Sequence, residues 1–242
     1  MNVLREAAST LRPPSGDRHG PLSPLLVGLT LVTGVVDVVS YLKLGHVFVA
    51  NMTGNVVFIG FALAGAGGLS APASLAALGA FLLGAVLGGR VGAMIPSHRG
   101  RMLRGSGVLQ SGLFLVALVV SLVASESLGG GARYALLVPL ALGMGVQNAV
   151  AQRLAVPELT TTVLTRTLTG IASEATLAGG HGAQAGRRAI AVGAMLLGAV
   201  IGALLALQVS VAAALSVACA IVVAVTLTVH ALSGGEAAWT RA

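Results

Sequence analysis

The chain has 242 residues, of which 56% are hydrophobic and only 9% are charged, and its mean hydropathy is +0.95. A soluble domain carries about 25% charged residues, so this composition excludes a soluble protein and indicates an integral membrane protein. The net charge of +7 does not indicate nucleic-acid binding, because the basic residues lie mostly at the ends of apolar segments, as in loops facing the cytoplasm. The 34 glycines favour close helix packing in lipid, and the single cysteine, Cys219, excludes a disulfide within the chain.

The N-terminal stretch 1–23 is polar and lacks the basic-then-apolar layout of a cleaved signal peptide. We expect it to be a disordered cytoplasmic tail. A mitochondrial presequence is the competing interpretation, and Glu6, Asp17 and a proline pair disfavour it. A second cytoplasmic tail is predicted over 233–242.

Eight apolar segments approach the length of about 20 residues that crosses a bilayer as a helix. They are 24–42, 47–66, 72–95, 107–124, 135–152, 160–178, 189–207 and 209–232. Two of them are poor spans: 47–66 contains the polar cluster NMTGN, and 160–178 contains many threonines with Arg166 and Glu174. We therefore expect an all-α integral membrane protein with six transmembrane helices and two broken or re-entrant elements.

The chain also contains an internal repeat. The stretch 79–88, GAFLLGAVLG, matches 193–202, GAMLLGAVIG, at eight of ten positions. Two further matches follow the same order at nearly the same offset and pair 33–37 with 144–148 and 51–60 with 163–172. These matches predict a first repeat over 24–125 and a second over 133–232, each made of a helix, a broken element and two helices. The corresponding residues are Gly34 and Gly145, Asp37 and Asn148, Thr53 and Thr165, and Gly54 and Arg166.

Arginine placement decides how the two poor segments lie in the membrane. If all eight segments crossed with the N-terminus inside, the arginine-rich loop 97–105 would lie outside. If 47–66 and 160–178 enter and leave on one side, only Lys43 and Arg133 among the flanking basic residues lie outside. Three spans per half make the halves antiparallel. We therefore expect two inverted-topology repeats with both termini in the cytoplasm.

Inverted repeats with broken helices are typical of secondary transporters and some channels, whose sites lie near the membrane midplane. Irregular backbone persists at that depth only where it is buried in protein or lines a wet cavity. We expect the polar residues of the broken elements and of the facing helices to line such a cavity. The candidate substrate- or ion-binding residues are Asp37, Asn51, Thr53, Asn55, Gln147, Asn148, Thr165, Arg166 and Thr167.

Asp37 and Arg166 leave two interpretations open. Each could be structural, or Asp37 could be a proton or cation site and Arg166 an anion site. Because a lone charge in the membrane is costly, we predict that Asp37 and Arg166 pair with each other across the two halves, with Glu174 as the competing partner of Arg166. Asn51, Thr53 and Asn55 could also cap a helix terminus, and Gln147 and Asn148 could join helices by hydrogen bonds.

The stretches VTGVVDVVSYLKLGHVFVANMTGNVVFIG (32–60) and LGMGVQNAVAQRLAVPELTTTVLTRTLTGIA (142–172) resemble the YoaK-like family of small bacterial multipass membrane proteins, a domain-of-unknown-function family. The resemblance covers about residues 25–232. It implies a bacterial inner-membrane protein of about this size and no particular substrate or reaction.

The predicted function is transport of a small solute, by a transporter or a channel. The alternative is a non-transporting membrane regulator or scaffold subunit. No metal motif, nucleotide fingerprint or catalytic set occurs at recognisable spacing, so we expect neither enzymatic activity nor a cofactor. The expected partners are the lipid bilayer and a small-molecule solute, not nucleic acid, and a homo-oligomer is left open.

Overall fold

The structure is a computed structural model that describes residues 3–14, 16–124, 129–159, 161, 164–174, 179, 184–234 and 238–241. Residues 160, 162–163 and 175–178 of the second predicted broken segment, residue 125 of the first repeat, and 235–237 and 242 of the C-terminal tail lie outside this description. The helices of the described part are α1 Val3–Leu11, α2 Leu22–Lys43, α3 Met52–Leu63, α4 Ala71–Met94, α5 Arg99–Val123, α6 Gly130–Leu154, α7 Leu164–Ser173, α8 Ala185–Gln208 and α9 Val211–Leu232.

Six of these helices are long and apolar enough to cross a membrane: α2, α4, α5, α6, α8 and α9. The predicted all-α membrane class with six spans is confirmed. α2 and α6 are the most buried of the six, and they are the first helices of the two predicted repeats. α4 and α8 expose corresponding leucine pairs, Leu82 and Leu83 on α4 and Leu196 and Leu197 on α8. Such surfaces imply contact with the lipid bilayer.

The two broken elements contain the short helices α3 and α7, of 12 and 10 residues. A helix of 12 residues is about 18 Å long, whereas the hydrocarbon core is about 30 Å thick, so neither helix crosses the membrane. α3 packs on α4, and α7 packs on α8. The polar residues in segments 47–66 and 160–178 thus correctly indicated broken elements, in whose described parts the helices are too short to span.

Two helix crossings depend on glycine, because only a residue without a Cβ lets the two backbones touch. A Cβ on Gly34 of α2 would lie 2.2 Å from the Met195 carbonyl oxygen of α8, and one on Gly145 of α6 would lie 2.0 Å from the Phe81 carbonyl oxygen of α4. Gly198 and Gly84 meet Leu31 and Leu142 in the same reciprocal manner. The inverted relation of the halves stays a prediction. It requires that the crossing of α2 with α8 have a counterpart in the crossing of α6 with α4, and these two crossings correspond in this way.

Several chain segments meet at one end of the bundle, called here the terminal face. Arg99 at the start of α5 donates to the carbonyl oxygen of Leu154 at the end of α6. The backbone of His98, before α5, bridges to that of Arg241, and Gly186 N, at the start of α8, donates to Glu6 Oε2 of α1 at 3.1 Å. Both ends of the described chain therefore lie on the terminal face.

Two expectations about tails and loops are wrong. Residues 3–11 form α1, not a disordered tail, because Glu6 fastens this helix to the start of α8. Arg99, Arg101 and Arg104 lie in the first turns of α5 and not in a loop over 97–105, because the His98 side chain accepts a hydrogen bond from Arg101 N and caps the helix. Described residues of the C-terminal tail form a 3₁₀ turn, Ala238–Thr240.

Candidate functional site

Asp37 binds backbone amides and not a side-chain cation. Its Oδ1 accepts hydrogen bonds from Ala50 N at 2.7 Å and Val49 N at 3.0 Å, and the residue is 5% exposed. These amides belong to residues 44–51, which lead from the end of α2 back to the start of α3. Hydrogen bonds from amides to a carboxylate are about twice as strong as neutral ones. Asp37 therefore holds the chain where it turns back toward the middle of the bundle.

The NMTGN cluster completes this turn. Asn55 is fully buried, and its side chain accepts from Phe48 N at 2.9 Å and donates to Phe48 O at 2.7 Å. Asn51 caps α3 by accepting from Gly54 N at 3.3 Å. A Cβ on Gly54 would lie 2.7 Å from the Phe48 ring, which itself stacks on Tyr41. The polar residues that interrupt the apolar run thus make the hydrogen bonds that shape the turn and the start of α3.

Gln147 joins three helices in the packed interior. Its Oε1 accepts from Gln110 Nε2 of α5 at 2.7 Å, and its Nε2 donates to Thr33 Oγ1 of α2 at 3.1 Å. The cavity beside this network is about 10 Å³, the size of one water. This place holds no small solute, so Gln147 acts here as a link between helices.

The main cavity has a volume of about 1090 Å³, lies between α3, α4, α6 and α7, and has both apolar and polar residues in its lining. The starts of both short helices face it, with Asn51, Thr53 and Gly54 at α3 and Leu164 and Thr165 at α7. The same side of the cavity also has an apolar lining, from Ala50, Met52, Val57 and Phe58. The residues contributed by the long helices are Phe81, Ala85, Asn148, Ala149, Gln152 and Arg153.

The position of the lining residues gives the depth of this cavity. Phe81 lies near the middle of α4, and Arg153 lies in the last turn of α6, at the terminal face. The cavity therefore extends from the middle of the spans to the terminal face. The buried Ala50, in the turn before α3, also lines the cavity.

Arg166 is exposed and lines a separate cavity of about 580 Å³ with Glu158, Glu174 and Arg188. The ion pairs in the described part of the chain are those of Arg188 with Glu174 at 2.9 Å and with Glu158 at 3.0 Å. The predicted pair of Asp37 and Arg166 is therefore wrong. Asp37 uses the amides of its own half, and Glu174 takes Arg188 as its partner.

Side chains around Glu174 also affect its ionisation. The hydrogen bond and the positive charge of Arg188 lower the pKa of the Glu174 carboxyl, although burial opposes this shift. Glu174 is therefore charged throughout the neutral range. This contact fastens the end of α7 to the start of α8.

The nine predicted site residues divide into two groups. Asn51, Thr53, Asn148 and Thr165 line the main cavity together. The other five lie elsewhere: Asp37 and Asn55 in the turn before α3, Gln147 in the interhelical network, Arg166 beside Glu174, and Thr167 buried in α7. Arg153 was missed as a lining residue, because its place at the end of a span made it look like an ordinary flanking charge.

The fold and the cavity define a polytopic α-helical membrane protein in which two short helices begin at one cavity. The chain belongs to the family described as "Protein of unknown function (DUF1275)", whose profile matches residues 25–228. This match confirms the resemblance to YoaK-like proteins that the sequence indicated.

A curated relative agrees with this family. The chain is 34% identical over 149 residues to the UPF0700 transmembrane protein YoaK of Bacillus subtilis (strain 168). The match covers 61% of this chain and 64% of that protein, so it spans slightly less than two thirds of the relative's length. No solved structure matches the chain.

Proposed function

We propose that the protein is a transporter or channel for a small polar solute, with the main cavity as its binding site. The observation that carries the proposal is the cavity of about 1090 Å³ that reaches from mid-span to the terminal face and at which two short helices begin. Polar backbone at this depth is typical of transport sites in broken-helix proteins. On this proposal the protein carries a solute and catalyses no reaction on it.

The lining favours a neutral or negatively charged solute. The starts of α3 and α7 carry the positive ends of their helix dipoles, and Arg153 adds a full positive charge. No carboxylate is among the described residues that line the cavity. Asn51, Thr53, Asn148 and Thr165 offer amide and hydroxyl groups that suit an oxyanion or a polar neutral molecule.

We further propose that the terminal face lies in the cytoplasm of a bacterium and that the spans cross its inner membrane. The support is the arginine distribution, since Arg18, Arg99, Arg104, Arg153 and Arg188 belong to the terminal face. Single cysteines at positions 98 and 130 in a Cys219→Ala background test this orientation. A membrane-impermeant thiol reagent that labels position 98 of intact cells would contradict it.

Solute flux into proteoliposomes, measured over a panel of anions, amines and neutral metabolites, tests the function. Thr53→Trp would place an indole in the cavity, and we expect it to reduce flux at least about tenfold by steric exclusion. Val56→Trp is the matched control, because Val56 is exposed on the same helix and does not line the cavity. Equal flux in the two variants would contradict the proposal.

The alternative is a membrane regulator or scaffold subunit, and one observation favours it. Asp37, Asn55 and Gln147 are all bonded inside the protein, as purely structural polar groups would be. A protein that shows no flux for any solute of the panel, but is recovered from native membranes in a stable complex, would support this alternative.

A further inference from the structure

A second cavity, of about 410 Å³, lies on the terminal face among the ends of α4, α5 and α6. Basic residues from four distant segments line it: Arg18 and His19 before α2, Arg99 at the start of α5, Arg153 at the end of α6, and Arg241 near the C-terminus. None of the described residues that line it carries a carboxylate. We call these five residues the arginine pocket.

Arg99 is the buried centre of the arginine pocket. The residue is 6% exposed, and its guanidinium donates to the carbonyl oxygens of Leu154 and, at 3.3 Å, of Arg18. A ring nitrogen of His19 lies 3.2 Å from the same guanidinium. These contacts bring the segment before α2 against the ends of α5 and α6. The positively charged Arg99 guanidinium therefore lies at the base of the cavity, where its hydrogen-bond acceptors are uncharged carbonyl oxygens.

The remaining arginines of the pocket, Arg18, Arg153 and Arg241, are exposed at its rim. At His19, burial and the nearby positive charges of Arg99, Arg187 and Arg18 lower the pKa of the imidazole, against the opposing negative charge of Asp17. The Asp17 carboxylate accepts from the amides of His19 at 2.7 Å and Gly20 at 2.9 Å and shapes that turn. The cavity therefore gathers several positive charges around a space that can hold an anion.

We propose that the arginine pocket binds a phosphate group, carried either by a soluble phosphate or by the headgroup of an anionic lipid. Guanidinium groups match phosphate oxygens in planar, two-point hydrogen bonds. Basic pockets at the ends of transmembrane helices are also typical places for lipid headgroups. Arg153 lines both cavities, whereas Arg18 and Arg241 do not line the main cavity, so a test that changes only these two residues does not depend on transport.

The test compares two double variants of the full chain, purified in detergent. Arg18→Gln with Arg241→Gln removes two rim charges and leaves Arg99 and Arg153 in place. Arg12→Gln with Arg101→Gln is the matched control, because it removes the same charge from exposed positions that do not line the pocket. Thermal unfolding of each variant checks that it is folded. If the first double variant does not fold, Arg18→Gln alone replaces it, since Arg99 contacts only the backbone of Arg18.

Two ligands distinguish the sources of the phosphate group. Inorganic phosphate is titrated by calorimetry at constant ionic strength. Phosphatidylglycerol retention is compared with phosphatidylcholine retention by native mass spectrometry. We expect wild-type protein to bind at least one of the two phosphate carriers, and the rim variant to bind it at least about tenfold more weakly, with the control within about twofold.

The pattern of binding decides between the sources and can overturn the proposal. Binding of inorganic phosphate without preference for phosphatidylglycerol supports a soluble ligand. Selective retention of phosphatidylglycerol that phosphate does not displace supports a lipid ligand. The proposal is overturned if wild-type protein binds neither, or if the control variant loses as much binding as the rim variant.

Discussion

α3 and α7 follow the first helices of their halves, and both begin at the main cavity, yet different chemistry holds them. The chain before α3 is held by the buried carboxylate of Asp37 through backbone amides, and by the amide of Asn55. The region of α7 is held at the terminal face, where Arg188 of α8 pairs with Glu158 before the helix and Glu174 after it.

The difference shows that corresponding short helices of a repeated fold can be held in two ways, by hydrogen bonds to a buried carboxylate or by partly exposed ion pairs. Salt and water have little effect on hydrogen bonds in the protein interior, whereas they weaken the attraction between partly exposed charges. The first short helix should therefore be the firmly fixed one. The second should respond to ionic strength and pH.

The largest effect is expected from removing the carboxylate that holds the first short helix. Asp37→Ala leaves the amides of Val49 and Ala50 buried without an acceptor, and we expect a loss of about 4 kcal/mol in the free energy of unfolding. Asp37→Asn keeps an acceptor oxygen and should lose clearly less. Denaturant titration in mixed micelles measures both.

Ser40→Ala is the control for this prediction, because the buried Ser40 hydroxyl donates to the carbonyl oxygen of Asp37 within α2. We expect this variant to lose no more than about 1 kcal/mol. Equal losses for Asp37→Ala and Ser40→Ala would mean that Asp37 does not hold the turn.

The next largest effect is expected at the glycine crossings, which occur in both halves. Gly34→Ala and Gly145→Ala would each drive a methyl group into the backbone of the crossing helix, and we expect each to cost about 3 kcal/mol. Gly79→Ala and Gly193→Ala are controls at corresponding positions with open space around them, and they should be neutral or slightly stabilising. A large loss at only one crossing would show that the halves are not built alike.

A smaller effect is expected at the second short helix. Arg188→Gln removes the partner of both Glu158 and Glu174, and we expect a loss of about 2 kcal/mol, because the carboxylates keep part of their solvent contact. Hydrogen exchange should rise in α7 and stay unchanged in α3. Arg187→Gln, at the neighbouring position, is the control, and equal exchange in both variants would refute this role of Arg188.

The smallest effect is one of pH. Because Arg188 lowers the pKa of Glu174, this carboxylate stabilises the fold fully above its ordinary pKa, and the contribution is lost as the pH falls through the folded-state value. The difference in unfolding temperature between wild type and Glu174→Gln should be present at pH 6 and disappear in acid, well below about pH 4. A difference that persists in acid would contradict this assignment.

The sequence predicted the spans, the broken elements and the equivalent glycines. Helix length and apolarity are local properties, and Gly34 and Gly145 appeared in the repeat alignment as a matched pair. It also placed Asn51, Thr53, Asn148 and Thr165 in one set, which the structure brings to one cavity.

The contacts of the charged residues could not be predicted in the same way. Repeat symmetry shows which elements correspond, but it does not show which side chains meet. Asp37 is satisfied by backbone amides, which every residue except proline carries and which leave no mark in the sequence. Arg18, Arg99, Arg153 and Arg241 were counted as flanking charges, and their convergence on one cavity appears only in three dimensions.

The glycine crossings also have a mechanical consequence. Where backbone touches backbone, as at Gly34 and Gly145, no side chain separates the two helices, so α2 with α8 and α4 with α6 form two closely packed helix pairs. α3 packs on α4, while the turn before it is held by Asp37 on α2. The Asp37 carboxylate therefore joins α2, in one helix pair, to the segment that packs on α4, in the other pair. If the proposed transport involves a rotation of one helix pair against the other, the hydrogen bonds of Asp37 to Val49 and Ala50 would have to break first.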